Sequence, residues 1–367
     1  MKQIFSYLTF GCMVLLTLFA GTCKNDSPVK PPPPPAPPDT TSHEIEWTEY
    51  VFPGSGELED VWAFSADFAI AVGRIQDPSF SNEQLNSYIW DGKSWKLRGI
   101  PMQYFNGDTN TINWKLYGPG FTGIWGFRRD NIWFSSFASN NAYTHMTIVG
   151  NDTMIKTEAL AERGLGRIWA KDTNEIYFAG DFGGIIRYDA RTFIKLFSNP
   201  SITQPFRELW GFSSKDIYTS VYPNGFCYKY DGTTWSNFRD ASNPLSDSVF
   251  FGLPAAFGGT TDDDSMWVAG LWLARMKKDG TGKIRPIINI QQNGVERIRG
   301  TSKNNMFFMS RFGPIYHYNG STLKYYPNFS SGGNEFTSIS IVGKDIFIAG
   351  YKYFGGTQPL IIHGKQK

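Results

Sequence analysis

A repeated pattern of aromatic, glycine and aspartate residues covers most of the chain and constrains its fold more than any other feature. The clearest copy contains Trp210-Gly211-Phe212-Ser213, Asp216-Ile217-Tyr218, Tyr230-Asp231-Gly232 and Trp235. Short runs of Ile, Val, Tyr, Phe and Trp alternate with turn residues, which is typical of β-strands joined by tight turns. A repeat of this kind, with most steps 41–47 residues long, predicts a β-propeller.

The spacing of the copies gives the number of units. Four copies place the first-strand residue eight positions before the second-strand aromatic: Trp125 and Trp133, Trp169 and Tyr177, Trp210 and Tyr218, Arg299 and Phe307. Seven units start near Trp62, Trp125, Trp169, Trp210, Phe257, Arg299 and Ser340. The sequence therefore predicts an all-β, seven-bladed β-propeller with four antiparallel strands per blade. The unit at Phe257 is divergent, because an insertion at 260–264 stretches the segment from Phe257 to its matching aromatic, Trp267. Six or eight blades therefore stay open as alternatives.

The two ends of the repeat region complement each other. The seventh unit stops at 360–364, where other units continue into an Asp-Gly turn and a fourth strand. The segment 46–51 precedes the first unit, and its Trp47 aligns with Trp95 and Trp235 of other fourth strands. We therefore expect the N-terminal strand to complete the last blade, which closes the ring and removes an open sheet edge.

The first 22 residues are typical of an export signal, with a short basic start and an apolar run over 4–20. Together with Cys23, this region resembles a bacterial lipoprotein signal, which implies cleavage after residue 22 and lipidation of Cys23. A plain secretory signal or an uncleaved anchor is the alternative. Lys24 and Asp26 resemble surface-export signals of some Gram-negative lipoproteins, which implies an outer-membrane or cell-surface location.

A proline-rich segment separates the predicted anchor from the repeats. Residues 23–43 include the run Pro31–Pro38, which favours an extended polyproline helix and predicts a semi-rigid stalk. Residues 44–367 are predicted to be the propeller, a monomer that meets the membrane only through its lipid. The net charge of +2, with both signs mixed, indicates no nucleic-acid partner.

Motifs for catalysis and metal binding are few. The four histidines lie far apart in sequence and no cysteine pair is present, so neither a metal nor another cofactor is predicted. Asp262 and Asp264 could bind calcium, but their spacing favours a solvated turn. The Asp-Gly turns at Asp91 and Asp231 lack the leading serine of a sialidase Asp box, and we interpret them as hairpin turns.

Residues 58–367 resemble bacterial exported propeller repeats with a Trp-Gly-x-Ser-x-x-Asp-Ile-Tyr segment and a Tyr-Asp-Gly-x-x-Trp segment. The residues that carry the resemblance are Trp210-Gly211, Asp216-Ile217-Tyr218 and Tyr230-Asp231-Gly232, echoed at 315–320. The resemblance implies the fold and gives no catalytic residue.

The loops between second and third strands are the predicted ligand face. They contain aromatic and basic residues beside Gly and Pro, and rings with adjacent polar donors suit sugars or extended peptides. The candidate ligand-binding residues are Phe182, Tyr222, Trp272, Arg311, Phe312, Tyr351 and Tyr353. These residues predict a surface-tethered binding or scaffold module for a glycan, a peptide or a partner protein.

Charged residues near the starts of the first strands are predicted to line the central channel. They include Arg167, Arg207 and Arg297. The alternative function is a glycan-cleaving enzyme, whose two carboxylates would converge at roughly 5–9.5 Å. Asp60, Glu208 and Glu296 are the candidates for that role, and none is assigned as catalytic. Pairing of these carboxylates with the arginines would favour binding over catalysis.

Overall fold

The described part of the chain is all-β. In the computed structural model, the structure describes residues 40–79, 84–100, 102–105, 112–115, 120–136, 142–149, 152–159, 165–180, 183–199, 201–202, 206–221, 227–239, 256–269, 272–279, 285–289, 294–329, 333–353 and 355–367. These ranges contain thirty β-strands and a 3-10 helix at Pro327–Phe329. Within them, no helix is long and apolar enough to cross a membrane. The predicted signal, Cys23 and most of the predicted stalk lie outside the described residues.

Twenty-eight of these strands form seven four-stranded antiparallel sheets. The first strand is β1 (Ile45–Val51), which belongs to sheet 7. Sheet 1 contains β2 (Ser55–Ser65), β3 (Phe68–Gln76), β4 (Gln84–Trp90) and β5 (Trp95–Arg98). A separate hairpin, β6 (Met102–Phe105) and β7 (Ile112–Lys115), follows. Sheet 2 contains β8 (Phe121–Arg128), β9 (Asn131–Ser136), β10 (Ala142–Val149) and β11 (Asp152–Ala159).

The remaining sheets repeat the same strand order. Sheet 3 contains β12 (Leu165–Asp172), β13 (Glu175–Gly180), β14 (Gly184–Tyr188) and β15 (Phe193–Ser198). Sheet 4 contains β16 (Phe206–Ser213), β17 (Asp216–Val221), β18 (Cys227–Tyr230) and β19 (Trp235–Arg239). Sheet 5 contains β20 (Ala256–Gly258), β21 (Ser265–Ala269), β22 (Trp272–Lys277) and β23 (Arg285–Asn289). Sheet 6 contains β24 (Val295–Ser302), β25 (Asn305–Ser310), β26 (Ile315–Tyr318) and β27 (Leu323–Tyr326), and sheet 7 contains β28 (Asn334–Val342), β29 (Asp345–Tyr353) and β30 (Thr357–Gln366) with β1.

The innermost strands close a ring. β2, β8, β12, β16, β20, β24 and β28 each contact the next in this order, and β28 contacts β2. The predicted all-β propeller is therefore confirmed, and its four-stranded sheets correspond in order to the seven repeat units.

The N-terminal strand completes sheet 7 as expected. β1 pairs antiparallel with β30 along its whole length, with Trp47 opposite Gly364. A Cβ atom at Gly364 would lie 2.4 Å from the Trp47 ring, so glycine is needed where the indole crosses the strand. On its other side the indole packs against Tyr326 and Phe329, at centroid distances of 5.6 and 5.2 Å. The strand therefore links sheet 7 to sheet 6 as well as closing the ring.

The eight-residue step of the repeat corresponds to direct pairing across neighbouring strands. The predicted pairs face each other in four sheets: Trp125 and Trp133, Trp169 and Tyr177, Trp210 and Tyr218, Arg299 and Phe307. In sheet 5 the sequence alignment of Phe257 with Trp267 is wrong by one residue, because Gly258 and not Phe257 lies opposite Trp267. The extra residues at 260–264 displace the apparent repeat by one position, and Phe257 is fully buried instead.

Turns between third and fourth strands repeat one geometry. The Asp91 carboxylate accepts hydrogen bonds from the Lys93 and Ser94 backbone amides at 3.0 and 2.9 Å, and Asp231 accepts two in the same way. The following residue has a left-handed backbone, with φ of 89° at Gly92 and 97° at Gly232. These contacts are those of structural hairpin turns, as predicted for the Asp-Gly segments.

Candidate functional site

One end of the ring carries the loops between second and third strands, and we call it the loop end. The start of each first strand lies at this end, because it pairs with the last residues of the second strand. Examples are Ser55 opposite Gln76 and Val295 opposite Ser310. Side chains near the starts of the innermost strands therefore lie close to the loop end.

A register shift recurs near the start of the innermost strand. It falls between these residues in six sheets: Leu58 and Asp60, Phe121 and Gly123, Leu165 and Arg167, Phe206 and Glu208, Val295 and Arg297, Phe336 and Ser338. Such a bulge bends the strand and redirects the next side chain. Of the residues that follow the shift, all except Gly123 line one central cavity.

The cavity occupies the channel inside the ring. Its volume is about 150 Å³, and its lining combines charged residues with tryptophans. Trp62 and Trp125 pack against each other there at a centroid distance of 4.2 Å, and the Arg299 guanidinium lies 4.4 Å from the Trp210 ring. The aromatic rings form part of the wall, and the charged groups lie among them.

Asp60 joins three sheets. Its Oδ1 accepts from the Val61 amide at 2.9 Å and from the Ser338 hydroxyl of sheet 7, and its Oδ2 accepts from the Ile124 amide of sheet 2 at 3.1 Å. Arg167 lies farther off, with Nη1 3.9 Å from Oδ2. The carboxylate is thus held mainly by neutral donors, and it ties the first blade to both of its neighbours.

The Arg167 side chain extends from sheet 3 along the channel wall and contacts sheets 1 and 2. Its Nη1 donates to the backbone carbonyls of Glu59 and Thr122 at 3.1 and 3.3 Å. Burial and the positive charge of Arg297 lower the pKa of Arg167 to about 10, although nearby carboxylates act in the opposite direction. The guanidinium is still charged at neutral pH.

Glu208 forms ion pairs with two arginines. Its Oε2 lies 3.5 Å from Arg297 Nη1 and its Oε1 3.3 Å from Arg299 Nη2, while Oε1 also accepts from the Leu209 amide at 3.1 Å. The carboxylate and the Arg297 side chain are almost fully buried. Arg299 was not among the predicted site residues. It occupies a position that is tryptophan in other copies, and this departure from the repeat is the signal that marks it.

A second cluster lies at the loop end between sheets 6 and 7. The Arg311 guanidinium forms an ion pair with Glu335, and its Nη1 lies 4.0 Å from Glu296 Oε1. Tyr351 hydrogen-bonds to both Arg311 and Glu335. Burial opposes the charge of Arg311, but Glu296 and Glu335 together raise its pKa above the ordinary value. Burial and the bond to Glu335 raise the pKa of Tyr351. Glu335 is a member that the sequence analysis missed.

Two aromatic rings stand exposed beside this cluster. Phe312, in the loop between β25 and β26, is 58% exposed, and Tyr353, the last residue of β29, is 66% exposed. The Arg311 guanidinium lies 5.3 Å from the Phe312 ring centroid. Hydrogen bonds from the Phe336 amide to the Arg311 carbonyl and from the Tyr353 amide to the Gly333 carbonyl fix the backbone around them, at 2.7 Å each.

Other predicted ligand residues are placed differently. Trp272 is the first residue of β22, and its half-buried side chain packs against the core that contains Tyr218 and Phe257. Tyr351 is buried in the Arg311 cluster, so it supports the loop and does not present its ring. Phe182, Tyr222 and the Arg207 side chain lie outside the described residues.

The acidic insert of sheet 5 makes structural contacts. Asp262 accepts from the Lys303 amide at 3.0 and 3.1 Å, and the Asp264 carbonyl accepts from the Lys278 amide at 3.3 Å. The described residues contain no cluster of three or more His, Cys, Asp or Glu side chains suited to a metal ion. Asp262 therefore acts as a tie between sheets 5 and 6.

Comparisons with known proteins support the fold class. No family model and no curated protein matches the sequence. Among solved structures, the chain is similar to YCF48 bound to D1 peptide, with 13% identity, a TM-score of 0.61, and coverage of 88% of this chain and 97% of the other. It is also similar to a catalytically inactive virginiamycin B lyase from Staphylococcus aureus with quinupristin, with 14% identity, a TM-score of 0.62, and coverage of 88% of this chain and 100% of the other. A third similar structure is the WD40 β-propeller domain of Doa1, with 9% identity, a TM-score of 0.59, and coverage of 87% of this chain and 97% of the other. At these identities the likeness shows the β-propeller fold alone.

Proposed function

We propose that this chain is a surface-tethered module that binds a peptide or a partner protein with its loop end. The observation that carries the proposal is the pair of exposed rings, Phe312 and Tyr353, on adjacent blades. Large exposed rings in turns add nothing to the core, and exposed apolar groups of this kind mark interaction sites. Each ring contributes on the order of 1 kcal/mol beyond burial when a partner stacks on it.

The cluster beneath the rings supports this role. Arg311 is held by two carboxylates and a tyrosine hydroxyl, so the loops that carry Phe312 and Tyr353 share one ion-paired base. A base of this kind lowers the entropy that the loops lose on binding. YCF48, a propeller similar to this chain, is described with a bound D1 peptide. That likeness favours a peptide or a protein over a glycan as the ligand.

The placement of the carboxylates favours binding over glycan cleavage. Asp60 is held by amides, a serine and Arg167, and Glu208 is shared by two arginines. Glu296 lies beside Arg311. Glycan cleavage needs two carboxylates that converge on one sugar bond, whereas each of these carboxylates is engaged by arginines or by amides of the ring.

The N-terminal tether is part of the proposal. The described chain begins at Thr40, and the Thr41 hydroxyl donates to the carbonyl of Asn304, in the turn between β24 and β25. This turn lies at the end of the ring opposite the loop end. A lipid anchor at Cys23 with a proline stalk would then hold the protein at the outer membrane or cell surface.

A peptide-display selection tests the proposal. Peptides are selected on the full chain in detergent and their affinities are measured for the wild type and for a Phe312→Ala, Tyr353→Ala double variant. We expect the double variant to bind more than tenfold more weakly and to keep its melting temperature. The matched control is Tyr325→Ala, which removes an exposed ring from the outer strand of sheet 6.

Two outcomes would contradict the proposal. In the first, the selected peptides bind the double variant as tightly as the wild type. In the second, no peptide is enriched while a glycan array gives ligands that both variants bind equally.

A further inference from the structure

The central cavity contains more positive than negative side chains. Its lining includes the guanidinium groups of Arg167, Arg297 and Arg299 and the carboxylates of Asp60 and Glu208. The wall therefore has one more positive than negative side chain, and the Arg297 guanidinium, whose side chain is only 2% exposed, lies 3.5 Å from Glu208. Charges in such a setting are costly unless they are paired.

The two carboxylates are already engaged. Asp60 uses both oxygens for two amides and the Ser338 hydroxyl, and it stays 3.9 Å from Arg167. Glu208 divides its oxygens between Arg297 and Arg299 at 3.5 and 3.3 Å. Neither carboxylate forms the short, two-bond contact that planar guanidinium and carboxylate groups make when they pair fully.

Arg167 keeps donors for a ligand. Its hydrogen bonds to described residues all come from Nη1, so Nε and Nη2 donate to none of those residues. Its side chain is 13% exposed, and it lies on the cavity wall. Its lowered pKa, caused by burial and by Arg297, indicates that the nearby carboxylates do not offset the cost of its charge.

We propose that the channel cavity is a binding site for one carboxylate group, with Arg167 as its main donor and Arg297 and Arg299 beside it. A carboxylate supplies the single negative charge that the wall lacks, and its planar shape fits the two remaining donors of a guanidinium. A volume of about 150 Å³ admits a carboxylate on a short carbon chain and excludes an oligosaccharide of several rings. The site goes beyond the proposed function, because it is formed by channel residues and not by the loop rings.

Ligand-observed NMR on the full chain in detergent tests the site. The probes are acetate, a tripeptide with a free C-terminal carboxylate, the same tripeptide as an amide, an amidated tripeptide with a central Asp, and methyl phosphate. We expect acetate and at least one of the carboxylate peptides to bind, and the uncharged amide not to bind. Tighter binding of one peptide than of acetate identifies a chain terminus or an acidic side chain as the source, and the reverse order identifies a small free acid.

Variants assign the site to Arg167. We expect Arg167→Gln to weaken acetate binding more than tenfold and Arg167→Lys to weaken it less, which keeps the test valid if the Gln variant folds poorly. The matched control Arg311→Gln and the Phe312→Ala, Tyr353→Ala variant should bind acetate like the wild type, so this site and the loop-end proposal can fail separately. Unchanged binding by both Arg167 variants, equal binding of amide and free acid with no response to acetate, or stronger binding of methyl phosphate would overturn the proposal.

Discussion

Lowering the pH should destabilise the ring through two hydrogen-bonded histidines, one of which is fully buried. His317 lies on β26 and is fully buried, and its Nδ1 is 2.9 Å from the Nδ1 of His43, which precedes β1. The His317 Nε2 lies 2.9 Å from Asn305 Oδ1, and the Asn305 amide nitrogen donates to Thr301, which fixes that oxygen as the acceptor. His317 Nε2 must therefore carry the ring proton, and its bare Nδ1 must accept a hydrogen bond from the protonated Nδ1 of His43.

This arrangement holds both imidazoles neutral. The other His43 nitrogen, Nε2, lies 2.8 Å from the Thr322 hydroxyl, which completes the chain of hydrogen bonds. Adding a proton to His317 Nδ1 would place two N–H donors face to face across 2.9 Å. Burial, His43 and Lys324 lower the pKa of His317 to about 3, and burial and Lys324 lower the pKa of His43.

The sign and size of the effect follow from linkage. The unfolded chain binds protons at these histidines below a pKa of about 6.5, and the folded chain binds them only at lower pH, so acid favours unfolding. The stabilisation is complete above pH about 6.5 and is lost as the pH falls toward the folded pKa of about 3. At pH 5, about 1.5 units below the unfolded pKa, His317 alone accounts for a loss of about 2 kcal/mol.

Urea denaturation at pH 7.5 and 5.0 measures this loss. In His317→Gln, the fall in unfolding free energy between the two pH values should be about 2 kcal/mol smaller than in the wild type. The matched control is Phe307→Leu, because Phe307 stacks on His317 at 4.3 Å and its loss should lower stability by similar amounts at both pH values. The reasoning is refuted if the His317→Gln variant loses as much stability on acidification as the wild type.

Three further predictions concern the turns, the ring and the anchor. Ala190 has a left-handed φ of 70° in a turn where other blades have glycine, so Ala190→Gly should raise the unfolding free energy by about 0.5–1 kcal/mol in urea titrations; a loss of stability would contradict this. Deleting residues 44–52 removes β1 and exposes β30, and calorimetry should show a lower melting temperature for the whole ring; an unchanged melting temperature would show that the strand adds nothing. Intact-mass analysis of membrane-purified protein should find a lipidated Cys23 as the first residue, and an unmodified N-terminus elsewhere would rule the anchor out.

The sequence predicted the blades because their signal is local. Residues eight positions apart, such as Trp210 and Tyr218, are partners across one hairpin, so their spacing is set by a single turn. The closing strand was also predictable, since Trp47 fills the same place as tryptophans of other fourth strands. The alignment of Phe257 with Trp267 in sheet 5 was wrong by one residue, because an insertion in the first turn of this sheet changes the spacing between paired residues while the strands still pair.

The contacts of the site were harder to predict from the sequence, because they join strands that are distant in sequence. Arg297 and Arg299 meet Glu208 across the channel from sheet 4, and no spacing within one repeat encodes that meeting. The exposure of a loop ring depends in the same way on its neighbours. Phe312 is exposed, whereas Trp272, at a similar point in the preceding blade, packs on the core.

Asp60 connects the stability of the ring to the charge of the channel, and its replacement by Asn separates the two. An Asn side chain keeps the size of Asp60 but puts a donor where the carboxylate accepts from the Val61 and Ile124 amides. Leaving one buried amide without an acceptor costs about 1–3 kcal/mol, so the unfolding free energy of Asp60→Asn should fall by that amount.

The same change removes a negative charge 3.9 Å from Arg167. Acetate affinity should therefore rise, by roughly threefold or more at low salt, and the gain should shrink as salt screens the charges. The two measurements must move in opposite directions, since a lost carboxylate weakens the ring and strengthens the anion site. If acetate binding falls together with stability, Asp60 acts only by shaping the cavity, and the uncompensated charge of the channel is not what attracts the ligand.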